Sequence, residues 1–365
     1  MAKHAWMAAS AAEYEAFGLT AGAPALWEDG LRTNGEKGSY EWWYFDSRLS
    51  DGSSLVIAFH TGPVASFSAG FRPYATFTLT APDGTRRHSK VRVAAGDAAF
   101  SRAQCDVRIG ACTFRGDLHR YVIHFEDGAL MADVELVGSV PAWRPLSGHI
   151  VFGKSDYFAW LPAVPEGSVT AVIRQDGTET RYTGTGYHDH NWGNAPMFFL
   201  MHHWYWGRAK IGPYQVVSSY ITAGEKYSCD EIPIFLLAKD GEILADQAEK
   251  YLTYAEDELT LDPVTHKHVA GRILYEYNDG TQHYRITYRR ESDLERMGME
   301  TQLTRAQYAA VWLMGLRGSY HRMAGTATLE RLEHGEVVER WSAPALWEQM
   351  YFGKDRVFPR RPPNG

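Results

Sequence analysis

Glu41-Trp42-Trp43-Tyr44-Phe45-Asp46, followed by Gly52, Leu55-Val56-Ile57 and Thr61, has a counterpart later in the chain. The second stretch is His202-His203-Trp204-Tyr205-Trp206-Gly207, followed by Gly212, Gln215-Val216-Val217 and Thr222. The offset of about 161 residues suits one small β-barrel, so the pattern reads as a duplicated all-β unit. The surrounding punctuation agrees. Asp-Gly occurs at 51–52, 83–84, 127–128, 176–177, 240–241 and 279–280, between segments rich in β-formers. Such dipeptides suit type I′ hairpin turns, which need positive φ at both central residues. The expected structure is a meander of antiparallel strands, with Leu55 to Phe59, Tyr214 to Val217, Thr281 to Tyr288 and Thr326 to Leu332 among them. Helix is expected only as a short turn at Ala11 to Phe17 and a segment from Thr304 to Met314.

Together these features predict two tandem antiparallel β-barrel or β-sandwich domains with few short helices. The expected boundaries are an extension at 1–33, domains at 34–197 and 198–353, and a loose tail at 354–365. A chain of 365 residues can bury a large core. The net charge of −7 is mild and mixed along the chain, which argues against nucleic acid and anionic membrane as partners. Cys105, Cys112 and Cys229 form no CxxC pair, and no apolar run reaches membrane-spanning length. The expectation is a cytoplasmic protein without a transmembrane segment. Oligomeric state is not legible. Aromatic residues make up 13% of the chain, suiting both β-scaffolds and cavities for apolar ligands.

The densest chemistry is Tyr187-His188-Asp189-His190-Asn191-Trp192-Gly193. In an extended strand His188 and His190 face one way, and Asp189 and Asn191 the other. Three readings are open from these residues. Asp189 or a neighbouring imidazolium could be a general acid in an apolar pocket, where burial keeps a carboxyl protonated. His188, His190, His202 and His203 could bind a metal, although no HExxH and no clear carboxylate completes a ligand set. The segment could instead be a hydrogen-bonded turn at the boundary between the two halves. The chain has no P-loop and no GxSxG motif, and Gly184-Thr185-Gly186 lacks the βαβ context of a dinucleotide site.

Four stretches carry a resemblance. They are Glu41 to Asp46, Gly186 to Gly193, Trp204-Tyr205-Trp206-Gly207-Arg208, and Ala345-Leu346-Trp347-Glu348. They resemble the two-domain lipocalin-like superfamily of carotenoid hydratase, kievitone hydratase, AttH-like proteins and fungal Diels–Alderases, and lie closer to the last branches than to the first. The resemblance implies paired calycin-like domains with a ligand pocket in or between them. It also implies chemistry without cofactor or metal on an apolar isoprenoid, polyene or prenylated aromatic substrate, by hydration, dehydration or cyclisation. Carried onto this chain, it makes Asp189 the expected proton donor, tuned by His188 and His190. Tyr44 and Glu41 are expected to bind a substrate oxygen or place water. Trp192, Trp204, Trp206, Tyr187, Trp43, Asn191 and His203 are expected to contact substrate.

Overall fold

Strands dominate because each Asp-Gly dipeptide reverses the chain between two hydrogen-bonded neighbours. The computed structural model describes residues 3–63, 69–298 and 317–357. The expected helix at Thr304 to Met314 and the tail from Pro359 lie outside them. The described chain forms two compact units: Met7–Met197, and Phe198 onward together with Met1–Trp6. No helix among the described residues is long and apolar enough to cross a membrane.

In the first unit the strands that matter are β1 Tyr40–Leu49, β2 Ser54–His60, β3 Tyr74–Thr80, β4 Arg86–Arg92, β5 Asp106–Ile109, β6 Cys112–Gly116, β7 Arg120–Asp127, β8 Leu130–Gly138, β9 Asp156–Gln175 and β10 Thr178–Gly193. They pair in the order β4-β3-β2-β1-β10-β9-β8-β7-β6-β5, so the first and last strands of the unit lie side by side. The inward positions are Trp43, Phe45, Ile57, Phe59, Phe77, Phe114, Ile123, Phe125 and their neighbours, all buried. Side chains fill this interior, as in small barrels. The short helix α1, Ala11–Ala16, precedes the sheet and is started by a Ser10–Glu13 capping box.

The second unit repeats the plan. Its strands are β11 Met201–Ile211, β12 Tyr214–Ala223, β13 Glu231–Lys239, β14 Glu242–Ala245, β15 Leu252–Asp257, β16 Arg272–Asn278, β17 His283–Gly298, β18 Ser319–Glu333 and β19 Glu336–Tyr351. They pair as β14-β13-β12-β11-β19-β18-β17-β16-β15, the same order as in the first unit with one strand fewer than the ten named there. The equivalence corrects the offset read from sequence by one residue. Glu41, Trp43 and Phe45 face the interior of their sheet, and their counterparts in facing are His203, Tyr205 and Gly207, not His202, Trp204 and Trp206. The hairpins that follow also differ in length, closing at Arg48 with Ser54 in the first unit and at Ile211 with Tyr214 in the second. A slip of one residue turns every side chain to the opposite face.

All six Asp-Gly dipeptides join sequential antiparallel strands, but only two behave as expected. Asp176-Gly177 and Asp240-Gly241 have positive φ at both residues, whereas at the other four only the glycine does. Asp51, Asp83 and Asp279 instead accept the backbone N–H two residues on, which stabilises a different turn.

The segment expected as an N-terminal extension is built into the first unit. A 3₁₀ turn at Leu26–Asp29 carries two buried acids, Glu28 and Asp29. Buried charges need partners. Glu28 receives the Arg144 guanidinium at 2.6 Å, with both side chains at most 4% exposed. Asp29 receives the Tyr121 hydroxyl, and its backbone carbonyl takes the Trp43 indole N–H at 2.9 Å.

Candidate active site

Tyr187 to Gly193 is the last part of β10, a strand paired with β1 on one side and, with irregular register from Pro162 to Gly167, with β9 on the other. It is therefore not a turn at a boundary, as one reading of the sequence had it. Alternation divides its side chains between two faces, and the two faces do different things.

The inward face carries His188, His190 and Trp192. His190 stacks on Trp43 with ring centroids 4.6 Å apart, and Trp192 belongs to the same core. Glu41 is fully enclosed. Its carboxylate accepts the backbone N–H groups of Arg32 and Thr33, the Thr33 hydroxyl and His190 Nε2, at 2.7–2.8 Å. His190 Nδ1 meets the Glu28 carbonyl at 3.2 Å, so each ring nitrogen faces an oxygen. His188 Nδ1 lies 2.9 Å from the Tyr44 carbonyl, and its ring packs between Phe114 and Tyr121. These residues lock the N-terminal segment into the barrel. Glu41, Trp43 and Trp192 are thus buried on the inward face of the sheet.

Metal binding finds limited support on this face. Asp29, Cys105 and His188 bring donor atoms within 4.8 Å of one another. Burial, reinforced by Asp29, pushes the Cys105 thiol well above its usual range, so it stays protonated. Asp29 already accepts Tyr121, and the trio reads as a hydrogen-bonded core cluster. Among the described residues the four histidines weighed from sequence do not form a donor group. His202 and His203 are on β11 of the second unit, with their Nδ1 atoms 2.9 Å apart.

The outward face carries Tyr187, Asp189 and Asn191, and here the acid is cradled. Asp189 is 6% exposed. Trp160 of β9 donates its indole N–H to Oδ2 at 2.7 Å, and the Tyr187 hydroxyl donates to the same oxygen at 2.8 Å. Asn191 donates its amide N–H to Oδ1 at 2.7 Å. Tyr44 is the cross-strand partner of Asp189 on β1, and its hydroxyl donates to Asp46 at 3.2 Å. Trp42 shares this face through its pairing with Asn191. Burial pushes the Asp189 carboxyl up to about 6, against the opposing pull of Tyr187, Trp160, His188 and Asn191. His188 and His190 are therefore not its direct partners, as expected from sequence. Alternation puts them behind the sheet, and His188 acts on Asp189 only by its charge.

Trp204 and Trp206 lie on the outward face of β11 in the second unit, and His203 faces inward. Trp206 is the cross-strand partner of Glu348, to which Tyr320 donates its hydroxyl at 2.8 Å. Sequence reading missed Trp160 and Trp42 as neighbours of Asp189. Trp160 sits in the apolar run Tyr157 to Leu161, and only the β9–β10 register brings it to Asp189. A cavity of about 670 Å³ in the first unit, lined by residues including His88, Asp127 and Gln175, lies at the opposite end of the strands that carry Asp189.

Comparison with known proteins bears on this geometry. The sequence pattern of the family described as Diels-Alderase-like matches residues 138–352, more than half of the chain and inclusive of β9, β10 and most of the second unit. The chain belongs to the Diels-Alderase-like family. This Diels-Alderase-like protein is 24% identical over 241 residues to the quinolone epoxide rearrangement protein penF of Penicillium thymicola, covering 58% of this chain and 62% of that one. It is 29% identical over 210 residues to a hydroxyneurosporene dehydrogenase of Chlorobaculum tepidum, covering 47% and 53%. The matched regions thus span between half and two thirds of these relatives. Among solved structures, a putative AttH from Nitrosomonas europaea superposes with TM-score 0.58 at 16% identity, covering 90% of this chain and 96% of that chain. CghA with Sch210972 gives 0.59 at 14%, covering 91% and 96%. Kievitone hydratase from Nectria haematococca gives 0.53 at 12%, covering 90% and 93%. At these identities the likeness establishes the shared lipocalin-like fold.

Proposed function

We propose that this protein is an enzyme that needs no cofactor and acts on a hydrophobic small molecule bearing an alkene or conjugated system. Asp189 is its proton-transfer group. The observation that carries the reading is a buried carboxyl whose three donors are fixed by the sheet and whose proton affinity is raised to about 6. A group poised near neutral pH can both give and take a proton. At pH 7 about a tenth of it is protonated.

In a hydration, the alkene π pair takes the Asp189 proton and forms a C–H bond. Water then adds to the neighbouring cationic carbon and returns a proton to Asp189. Trp42, Tyr44 and Tyr187 share the face of Asp189, and their rings suit a developing positive charge. Tyr44 and Asp46 suit a substrate oxygen. Apolar isoprenoid, polyene or prenylated aromatic substrates fit this mixture of rings and few polar groups.

Membership in a Diels-Alderase-like family, and the likeness to a protein whose name describes an epoxide rearrangement, favour a second reading. In it the same face cyclises or rearranges its substrate, mainly by holding it in a reactive shape. A third reading, a carrier without chemistry, fits less well because side chains fill the interior of the first barrel.

The test incubates purified protein with a linear polyene, a prenylated aromatic and a quinolone epoxide, and follows products by mass spectrometry. Gain of one water marks hydration, an isomeric product marks cyclisation or rearrangement, and unchanged compound marks a carrier. Asp189→Asn is expected to lower turnover by about 10²–10⁴. A hydratase should lose rate as pH rises through about 6, where Asp189 gives up its proton. A shape-driven cyclase should show a shallow profile. Unchanged turnover in Asp189→Asn would remove Asp189 from the mechanism.

A further inference from the structure

We propose that Trp160 is a positioning residue that holds Oδ2 of Asp189 as a fixed acceptor and so favours its ionised form. It rests on Asp189 being the proton-transfer group, but its test needs no substrate.

The argument is a count of lone pairs. An ionised carboxylate offers about four acceptor positions. Oδ2 uses two of them, on the Trp160 indole N–H and the Tyr187 hydroxyl, and Oδ1 uses one, on the Asn191 amide. With these three donors in place, the remaining position is on Oδ1.

The three donors are not equivalent. A tyrosine hydroxyl can rotate and accept, and an amide can present its oxygen instead of its nitrogen. Tyr187 and Asn191 can therefore adapt when Asp189 is protonated. An indole N–H can only donate. Trp160 holds one position of Oδ2 in either protonation state, and it favours the ionised carboxylate whatever its neighbours do.

Trp160 is itself held in place. Its backbone N–H donates to the Gly148 carbonyl at 2.9 Å, and its ring meets Trp143 edge-on at 6.4 Å. A Cβ at Gly148 would lie 2.9 Å from the Trp160 carbonyl oxygen, so the glycine lets the two backbones approach. The other ionisable groups around Asp189 are Tyr187 on β10, Tyr44 and Asp46 on β1, and His188 behind the sheet. None of them is a donor-only group hydrogen-bonded to Oδ2.

The experiment labels aspartate carboxyl carbons with ¹³C and follows Asp189 by NMR from acid to neutral pH, its resonance assigned by loss in Asp189→Asn. Trp160→Phe is expected to raise the Asp189 midpoint by about one pH unit, the weight of one hydrogen bond to a charged group. Tyr187→Phe is expected to raise it less. In the unaltered protein the Trp160 indole N–H resonance should shift with the same midpoint as Asp189. The proposal is overturned if Trp160→Phe folds and leaves the midpoint in place, or if Tyr187→Phe moves it as far. If Trp160→Phe does not fold, an indole resonance that ignores the Asp189 titration overturns it equally. Failure of the functional reading would appear separately, as turnover that persists in Asp189→Asn.

Discussion

Glu41 and Asp189 are both buried acids, and their surroundings give them opposite work. Glu41 has four donors and lies in the closed interior of the first barrel. Its negative charge is fully used in holding the segment around Thr33 to His190. Glu41→Gln would present an amide N–H where a donor already points. We expect a loss of about 1–3 kcal/mol in urea unfolding, because buried donors lose their acceptor. Asp189 has one acceptor position left and a carboxyl raised toward neutrality. The sequence places the two in equally aromatic company, Glu41-Trp42-Trp43 and Asp189-His190-Asn191-Trp192, and offers no local sign of which acid is satisfied.

At the scale of elements, β10 is decided by what crosses it. Gly184 and Gly186 sit where neighbouring chains approach closely. A Cβ on Gly184 would stand 2.2 Å from the Arg48 carbonyl oxygen, and one on Gly186 would stand 2.6 Å from Val169 Cγ2. The spacing that imitates a dinucleotide motif is therefore a packing requirement of the sheet. The 3₁₀ turn at Leu26–Asp29 is the second such element. Glu28 and Arg144 are both enclosed there, and Arg144 also donates to the carbonyls of Thr20 and Leu146. Glu28→Ala would strand the guanidinium. The expected cost is about 3–5 kcal/mol, read by chemical denaturation, with a smaller loss in the double variant Glu28→Ala with Arg144→Met. Sequence alone made this stretch an extension, because the partners of its two acids, about ninety or more residues away, are brought to it only by the fold.

At the scale of the molecule, buried titratable groups set the response to acid. Burial pushes His60 down to about 3 and His149 to about 4. Both bind fewer protons when folded than the ordinary value of 6.5 allows, so each contributes stability above that value that is lost as pH falls. For His149 the full effect is about 3 kcal/mol, developed between about pH 6.5 and 4. Asp189 runs the other way. Its raised carboxyl makes stability fall as pH rises from about 4 to 6. Thermal melts across this range should show net acid destabilisation, reduced in His149→Gln and steepened in Asp189→Asn. An unchanged acid limb in His149→Gln would contradict this assignment.

The sequence by itself determined the periodic part of this protein. Period-two apolar runs, punctuated by Asp-Gly, specify antiparallel strands, and the recurrence of an aromatic strand signals a second unit with the same strand order. Alternation also separated His188 and His190 from Asp189, since facing is a local property of an extended chain. Tertiary structure alone decided the rest. It set the one-residue correction to the repeat, because which face of a strand is buried is decided by packing across the sheet. It brought Trp160 to Asp189, enclosed Glu41, and turned an apparent extension into part of the core. Each of these depends on hydrogen bonds between residues far apart in the chain, and a buried polar group reveals its role only through the partner that satisfies it.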